Sequence, residues 1–152
     1  MDEVKACCYR VQDGRVVLHE QIPPYFAYLA PDRKYFKMVL AEMTPSMKSF
    51  AMSAREKALA QPEYFIREDS MNRTDLIFIS SIPNMQFTHL SHTITLSNKD
   101  DTIPRLSCGK YFVRDGRQMI PFNVQAHHAF VDGDHMGQYI DALQARMGGV
   151  SS

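Results

Sequence analysis

The period of apolar and polar positions changes three times along this chain, and each change marks an expected shift of secondary structure. Lys5 to Val11 mixes cysteines, Tyr9 and valines and reads as a strand. Asp13-Gly14 supplies the two positive-φ positions of a type I′ turn, and Arg15 to His19 returns as the second arm of a hairpin. After Pro23-Pro24, Tyr25 to Ala30 reads as a third strand, ended by Pro31-Asp32. From Arg33 to Ala60 the spacing becomes helical: Tyr35, Met38, Val39 and Glu42, then Met47, Phe50, Ala51, Ala54 and Leu59. Thr44-Pro45 sits in the middle, so either two helices meet there or one kinks.

The second half returns to strand patterns. Asp75 to Ser81 is a near-continuous apolar run, expected of a strand covered on both faces. Met85 to Leu96 alternates and contains His89 and His92; Asn98 to Asp101 reads as a solvated turn. Pro104 to Val113 and Gln118 to Ala126 form a hairpin around Arg114-Asp-Gly-Arg117. The last helix runs from Asp134 to Met147, with Met136, Tyr139, Ile140, Leu143 and Met147 on one stripe. Asp132 or Asp134 caps its start and Gly148-Gly149 ends it. The pattern predicts an α+β domain: a large mixed or antiparallel sheet with helices packed against it.

Composition narrows the partners. At 152 residues the chain is expected to form one domain with a real core. Lys+Arg and Asp+Glu number 17 each, and no basic run stands out, which gives no electrostatic case for DNA or RNA. No stretch is apolar enough to span a membrane, and no charged-then-apolar leader is seen at the N-terminus. Cys7, Cys8 and Cys108 are an odd set with two adjacent, so reduced thiols in a cytoplasmic protein are expected. Cys7 and Cys8 are expected to alternate across a strand, with one of them buried. Ten methionines suggest an adaptable core or an oligomer interface.

Chemistry concentrates in Pro121-Phe-Asn-Val-Gln-Ala-His127-His128-Ala-Phe-Val-Asp132-Gly133, a strand running into a turn. Adjacent strand residues point to opposite faces, so one histidine is a candidate base and the other braces or packs. The alternative is a pair of half-buried strand-end histidines beside an ordinary Asp cap. His89-x-x-His92 is read as sheet residues, one facing a ligand or subunit, and not as a metal pair: a spacing of three on a strand splits the rings between faces. No metal is expected. Near Pro23-Pro24, Phe26 reads as core, leaving Tyr25 and Tyr28 as candidate ligand-lining residues.

His127-His128-Ala-Phe-Val-Asp132-Gly133 resembles the HHxxxDG signature of the chloramphenicol acetyltransferase family, a signature also found in dihydrolipoyl acyltransferases and peptide-synthetase condensation domains. Its surroundings narrow the resemblance. Cys108-Gly-Lys-Tyr111-Phe112, Ile120-Pro121, Gln125, the helix with His135, Gly137 and Leu143-Gln144, and Phe78-Ile-Ser80-Ser-Ile-Pro83 are similar to that family in order and spacing. The implied fold is a coenzyme A-dependent acyltransferase sheet with flanking helices, here lacking the N-terminal part of the family fold. The resemblance implies His128 as general base, oriented by a bond from its other ring nitrogen to its own carbonyl. It implies Ser80 as donor to the oxyanion and Ser107 in place of a water-holding threonine. Asp132 and His127 are implied as structural support, and Tyr111 joins the candidate ligand-lining residues.

The implied activity is acetyl transfer from acetyl-coenzyme A to chloramphenicol or another small hydroxylated acceptor, in a homotrimer whose sites lie between subunits. The chain departs from the family at two further points. Asp134 replaces an aromatic residue, and the arginine that pairs with Asp132 has no counterpart. Asp132 then needs another partner: the helix N-terminus, or one of Arg105, Arg114 and Arg117. The shortened N-terminus also implies an alternative function, a non-catalytic homologue holding a nucleotide, such as a cyclic oligonucleotide signal, in intersubunit clefts.

Overall fold

The computed structural model describes residues 3–30, 34–62, 73–93 and 100–148. After a 3-10 turn at Lys5–Cys8 come β1 (Tyr9–Gln12) and β2 (Arg15–Leu18), an antiparallel hairpin. Asp13 and Gly14 have φ of 52° and 69°, the left-handed pair a type I′ turn requires. The expected strand over Lys5 to Val11 therefore starts four residues late. Cys7 and Cys8 lie in the 3-10 turn and are both buried, not split between strand faces.

The main sheet has five strands in the order β4-β3-β5-β6-β9: β3 (Pro24–Tyr28), β4 (Lys37–Leu40), β5 (Ile77–Ile82), β6 (Arg105–Gly109) and β9 (Phe122–Gln125). β3, β5 and β6 run parallel; β4 and β9 are antiparallel edges. Between β6 and β9, β7 (Phe112–Arg114) and β8 (Arg117–Met119) form a second hairpin, with φ of 52° at Asp115 and 74° at Gly116. The helices are α1 (Met47–Ala60) and α2 (Gly133–Gly148), and no helix among the described residues is long and apolar enough to cross a membrane.

Two expectations fail. The helical spacing over Arg33 to Ala60 covers a strand, β4, followed by a single helix. The local spacing of Tyr35, Met38 and Val39 is overridden by pairing: Tyr25, Phe26, Ala27 and Tyr28 face Leu40, Val39, Met38 and Lys37. The helix start is set by Ser46: Ser46 Oγ accepts from the Ser49 amide at 3.1 Å, and Ser49 Oγ accepts from the Ser46 amide at 3.3 Å. Residues 85–93 are also not a strand; they form an irregular loop over the sheet.

The register divides the sheet into two unlike faces, because residues opposite each other share a face. One face carries Phe26, Ile79, Leu106 and Val124 in a row. There Ile77 and Leu106 pack with Val4, Cys7, Cys8, Val131 and Tyr139. Met136 and Ile140 of α2 extend this core, while Met147, assigned to the same stripe, is exposed. α1 lies beside β4 and buries Ala54 and Ala58. Its C-terminal carbonyls, at Ala58 and Gln61, accept from the ammonium of buried Lys37.

Arg10 is the largest fully buried side chain. Burial pulls its pKa down to about 10, so it stays charged at neutral pH. Its guanidinium donates to the carbonyls of Cys7, Tyr9, Thr74 and Leu76 at 2.8–3.0 Å, tying the N-terminal turn to the entry of β5.

Candidate active site

The other face of the sheet is polar at its centre. Ser80 of β5 lies opposite Ser107 of β6, which lies opposite Asn123 of β9; the next row is Phe78, Arg105 and Gln125. β5 thus alternates, with Ile77 and Ile79 toward the helices and Phe78 and Ser80 toward this face. The run Asp75 to Ser81, expected to be covered on both faces, is buried at Leu76 and Ile77 and only partly buried from Phe78 to Ser80.

A cavity of about 510 Å³ opens on this polar face, within the size range of small-molecule sites. Phe36, Met38 and Phe78 supply apolar walls, and Ser80, His92 and Arg105 supply polar ones. Arg105 is neutralised by Asp101 at 2.7 Å and stands 5.7 Å from the centre of the Phe78 ring. The loop over the sheet is pinned at two places. Lys110 N–H donates to the Met85 carbonyl at 2.7 Å, and His92 N–H donates to Gln125 Oε1 at 3.0 Å. Burial first, and Arg105 second, lower the His92 pKa, so its ring is neutral near pH 7. Ser107 is fully buried, and its hydroxyl lies 2.8 Å from His92 Nε2. Asn123 Nδ2 is buried without a hydrogen-bond partner among the described residues.

A second cavity of about 360 Å³ opens on the helix side of Ser80, between Phe26 and Tyr28 of β3 and Phe50 and Arg55 of α1. Alternation along β3 exchanges the expected places of Tyr25 and Phe26 and leaves Tyr28 facing a cavity. Phe26 and Tyr28 share the cavity face, while Tyr25 is buried against Phe78 with ring centres 5.7 Å apart. Tyr25 is therefore core, and Phe26 lines space.

The histidine pair lies beyond the end of β9. His128 Nδ1 is 3.1 Å from the carbonyl of Val131, a buried core residue. A carbonyl only accepts, so Nδ1 is the donor, and the tautomer this bond selects carries its lone pair on Nε2. The expected anchor was the residue's own carbonyl; the structure uses that of Val131, three residues on. His127 is exposed rather than packed away: its Nδ1 accepts from the Ala129 amide at 3.2 Å, and its carbonyl accepts from Phe130 and Val131. It braces the turn.

Asp132 Oδ1 accepts from the His135 amide at 3.0 Å and lies 2.7 Å from His135 Nδ1. Those contacts, the backbone bond first, hold its carboxyl below the usual range. The helix N-terminus is thus its partner; Arg105 is engaged by Asp101. His89 and Tyr111 are exposed and line neither cavity, so of the candidate ligand-lining residues only Tyr28 and His92 face one. Among the described residues, no three His, Cys, Asp or Glu side chains are grouped to hold a metal ion.

Ser80 and His128 are not brought together within the chain. Two inter-strand steps of about 4.8 Å separate Ser80 from Asn123, His128 lies five residues further along the chain, and neither cavity lined by Ser80 includes His128. The feature that sequence reading missed is the His92–Ser107 contact, whose partners lie on a loop and a strand with no shared local spacing.

The model of the family described as chloramphenicol acetyltransferase matches residues 1–144. The chain belongs to that family. A chloramphenicol acetyltransferase of Clostridium perfringens is 26% identical over 134 residues, covering 88% of this chain and 64% of the relative. Chloramphenicol acetyltransferase 2 of Haemophilus influenzae is 26% identical over 142 residues, covering 88% and 63%. The chain thus spans a little under two thirds of these relatives. A solved chloramphenicol acetyltransferase superposes with a TM-score of 0.76 at 28% identity, covering 90% of this chain and 66% of that one. The catalytic core of a Thermoplasma acidophilum 2-oxoacid dehydrogenase complex shares the fold, with a TM-score of 0.71 at 15% identity over 99% of this chain and 69% of that one.

Proposed function

We propose that this chain is a coenzyme A-dependent O-acetyltransferase. It moves an acetyl group from acetyl-coenzyme A to a hydroxyl of a small acceptor, in sites completed between the copies of a homotrimer. The observation that carries this reading is the His128 ring: Nδ1 is fixed as a donor by the Val131 carbonyl, and Nε2 is left as a base. Membership of the family and the placement of Ser80 in a cavity wall support it. In this reading the Nε2 lone pair takes the hydroxyl proton as the hydroxyl oxygen attacks the thioester carbonyl carbon. The Ser80 hydroxyl donates to the oxygen that gains charge. Collapse expels the thiolate of coenzyme A, which takes the proton back from His128.

The separation of Ser80 from His128 along one chain supports placing them on neighbouring copies, as cyclic symmetry allows. Cys7, Cys8 and Cys108 form no disulfide among the described residues, which fits a reducing compartment, and we place the protein in the cytoplasm. Chloramphenicol is the first acceptor to test. Release of free thiol from acetyl-coenzyme A, measured with and without chloramphenicol, should depend on both the acceptor and His128. Turnover no greater than that of His128→Ala would remove this reading for that acceptor.

A further inference from the structure

His92 Nε2 is engaged by the Ser107 hydroxyl, and His92 Nδ1 has no partner among the described residues, although the side chain lines the cavity beside Ser80. The Ser107 hydroxyl has no other acceptor among those residues, so its proton points to Nε2 and the ring's own proton sits on Nδ1. Ser107 is fully buried, which argues against a serine nucleophile activated by this histidine. The pair instead holds the imidazole in one orientation, helped by the bond from the His92 amide to Gln125. The rest of the cavity carries little net charge, because Arg105 is matched by Asp101, and much of its wall is apolar.

We infer that His92 is a specificity-determining residue whose Nδ1–H donates to a hydrogen-bond acceptor group on a neutral, mainly apolar small molecule held against Phe78 beside Ser80. The inference assigns a role in recognising the acceptor, and its kinetic test rests on the acyl-transfer reading; its binding test does not. Two substitutions separate the nitrogens. His92→Gln places an amide where Nε2 stood and keeps the contact to Ser107, but loses the donor at Nδ1. His92→Asn places an amide near Nδ1 and loses the contact to Ser107.

The experiment measures KM for chloramphenicol, KM for acetyl-coenzyme A and kcat, and separately the Kd of chloramphenicol by calorimetry without donor. His92→Gln should raise KM and Kd for chloramphenicol about tenfold, the scale of one lost hydrogen bond, and leave KM for acetyl-coenzyme A unchanged. His92→Asn should recover most of that loss. Equal impairment by both substitutions would mean that His92 only pins the loop, and wild-type values for His92→Gln would mean that Nδ1 is unused; either overturns the inference. If the wild-type chain binds chloramphenicol but does not turn over, acyl transfer fails while the calorimetric comparison still decides the role of His92. Absence of binding by the wild-type chain overturns the inference for this ligand class.

Discussion

If Ser80 and His128 act in one site from different copies, two inactive variants should restore each other. Ser80 lies two strands from β9, and the chain runs on from Asn123 through the end of that strand and a turn before reaching His128. Ser80 and Asn123 are two inter-strand steps apart, roughly 10 Å, and His128 lines neither of the cavities that Ser80 lines. Ser80→Ala alone should lose about 10² to 10³ in kcat, the usual effect of one missing oxyanion donor. His128→Ala should lose about 10² to 10⁴. In a randomly mixed 1:1 trimer, each site draws its histidine from one copy and its serine from the next. Half the copies keep each group, so about a quarter of sites hold both. Thiol release by the mixed assembly, formed by co-expression or joint refolding, should therefore reach about a quarter of the wild-type rate. A mixture shown by native mass spectrometry to contain mixed trimers, yet no more active than its parents, would refute the shared site.

Four other perturbations test the scaffold. A Cβ on Gly109 would sit 2.7 Å from the Met85 carbonyl oxygen and 3.0 Å from the Phe87 ring. Gly109→Ala should cost about 1–3 kcal/mol by overpacking and lower the melting temperature by several degrees, because the obstructing atom is backbone. Arg10→Met removes four donors from buried or half-buried carbonyls and should cost about 3 kcal/mol or more in urea unfolding; a loss below about 1 kcal/mol would show the carbonyls finding other partners. Ser46→Ala breaks the reciprocal cap of α1 and should cost about 1 kcal/mol, read from the same unfolding curves. The Asp132 carboxyl is held below its ordinary 3.8, so the stability it contributes is present above that pH and is lost as pH falls through its lower folded value. Asp132→Ala should lower the melting temperature at pH 7, and the difference should vanish in acid below the folded pKa.

Much of the fold was legible wherever the decisive interaction is local. Asp13-Gly14 and Asp115-Gly116 announce type I′ turns because few residues tolerate positive φ at both positions, and both turns are found. Asp132 and Asp134 announce the start of α2, since a carboxylate there satisfies an orphan amide, and Asp132 is the one that takes the His135 amide. The HHxxxDG stretch together with the short motifs around it carries the resemblance to the family in the same way, through residues close in sequence.

Other features depended on partners far along the chain. Lys37–Leu40 carries a helical spacing of apolar residues, yet becomes an edge strand because β3 offers it a ladder and Lys37 caps the distant end of α1. The assignment of Tyr25 to the core and Phe26 to a cavity depended on which face β5 presented to β3. His92 and Ser107 meet only because the loop after β5 folds back over β6. By itself, then, the sequence determined the two turns and the family and narrowed the cap of α2 to Asp132 or Asp134, because each of these rests on residues close together in the chain. Only the tertiary structure decided the pairing of β4, the polar face of the sheet, the anchoring of His128 to Val131 and its distance from Ser80, because register and burial are properties of segments brought together and not of any one segment.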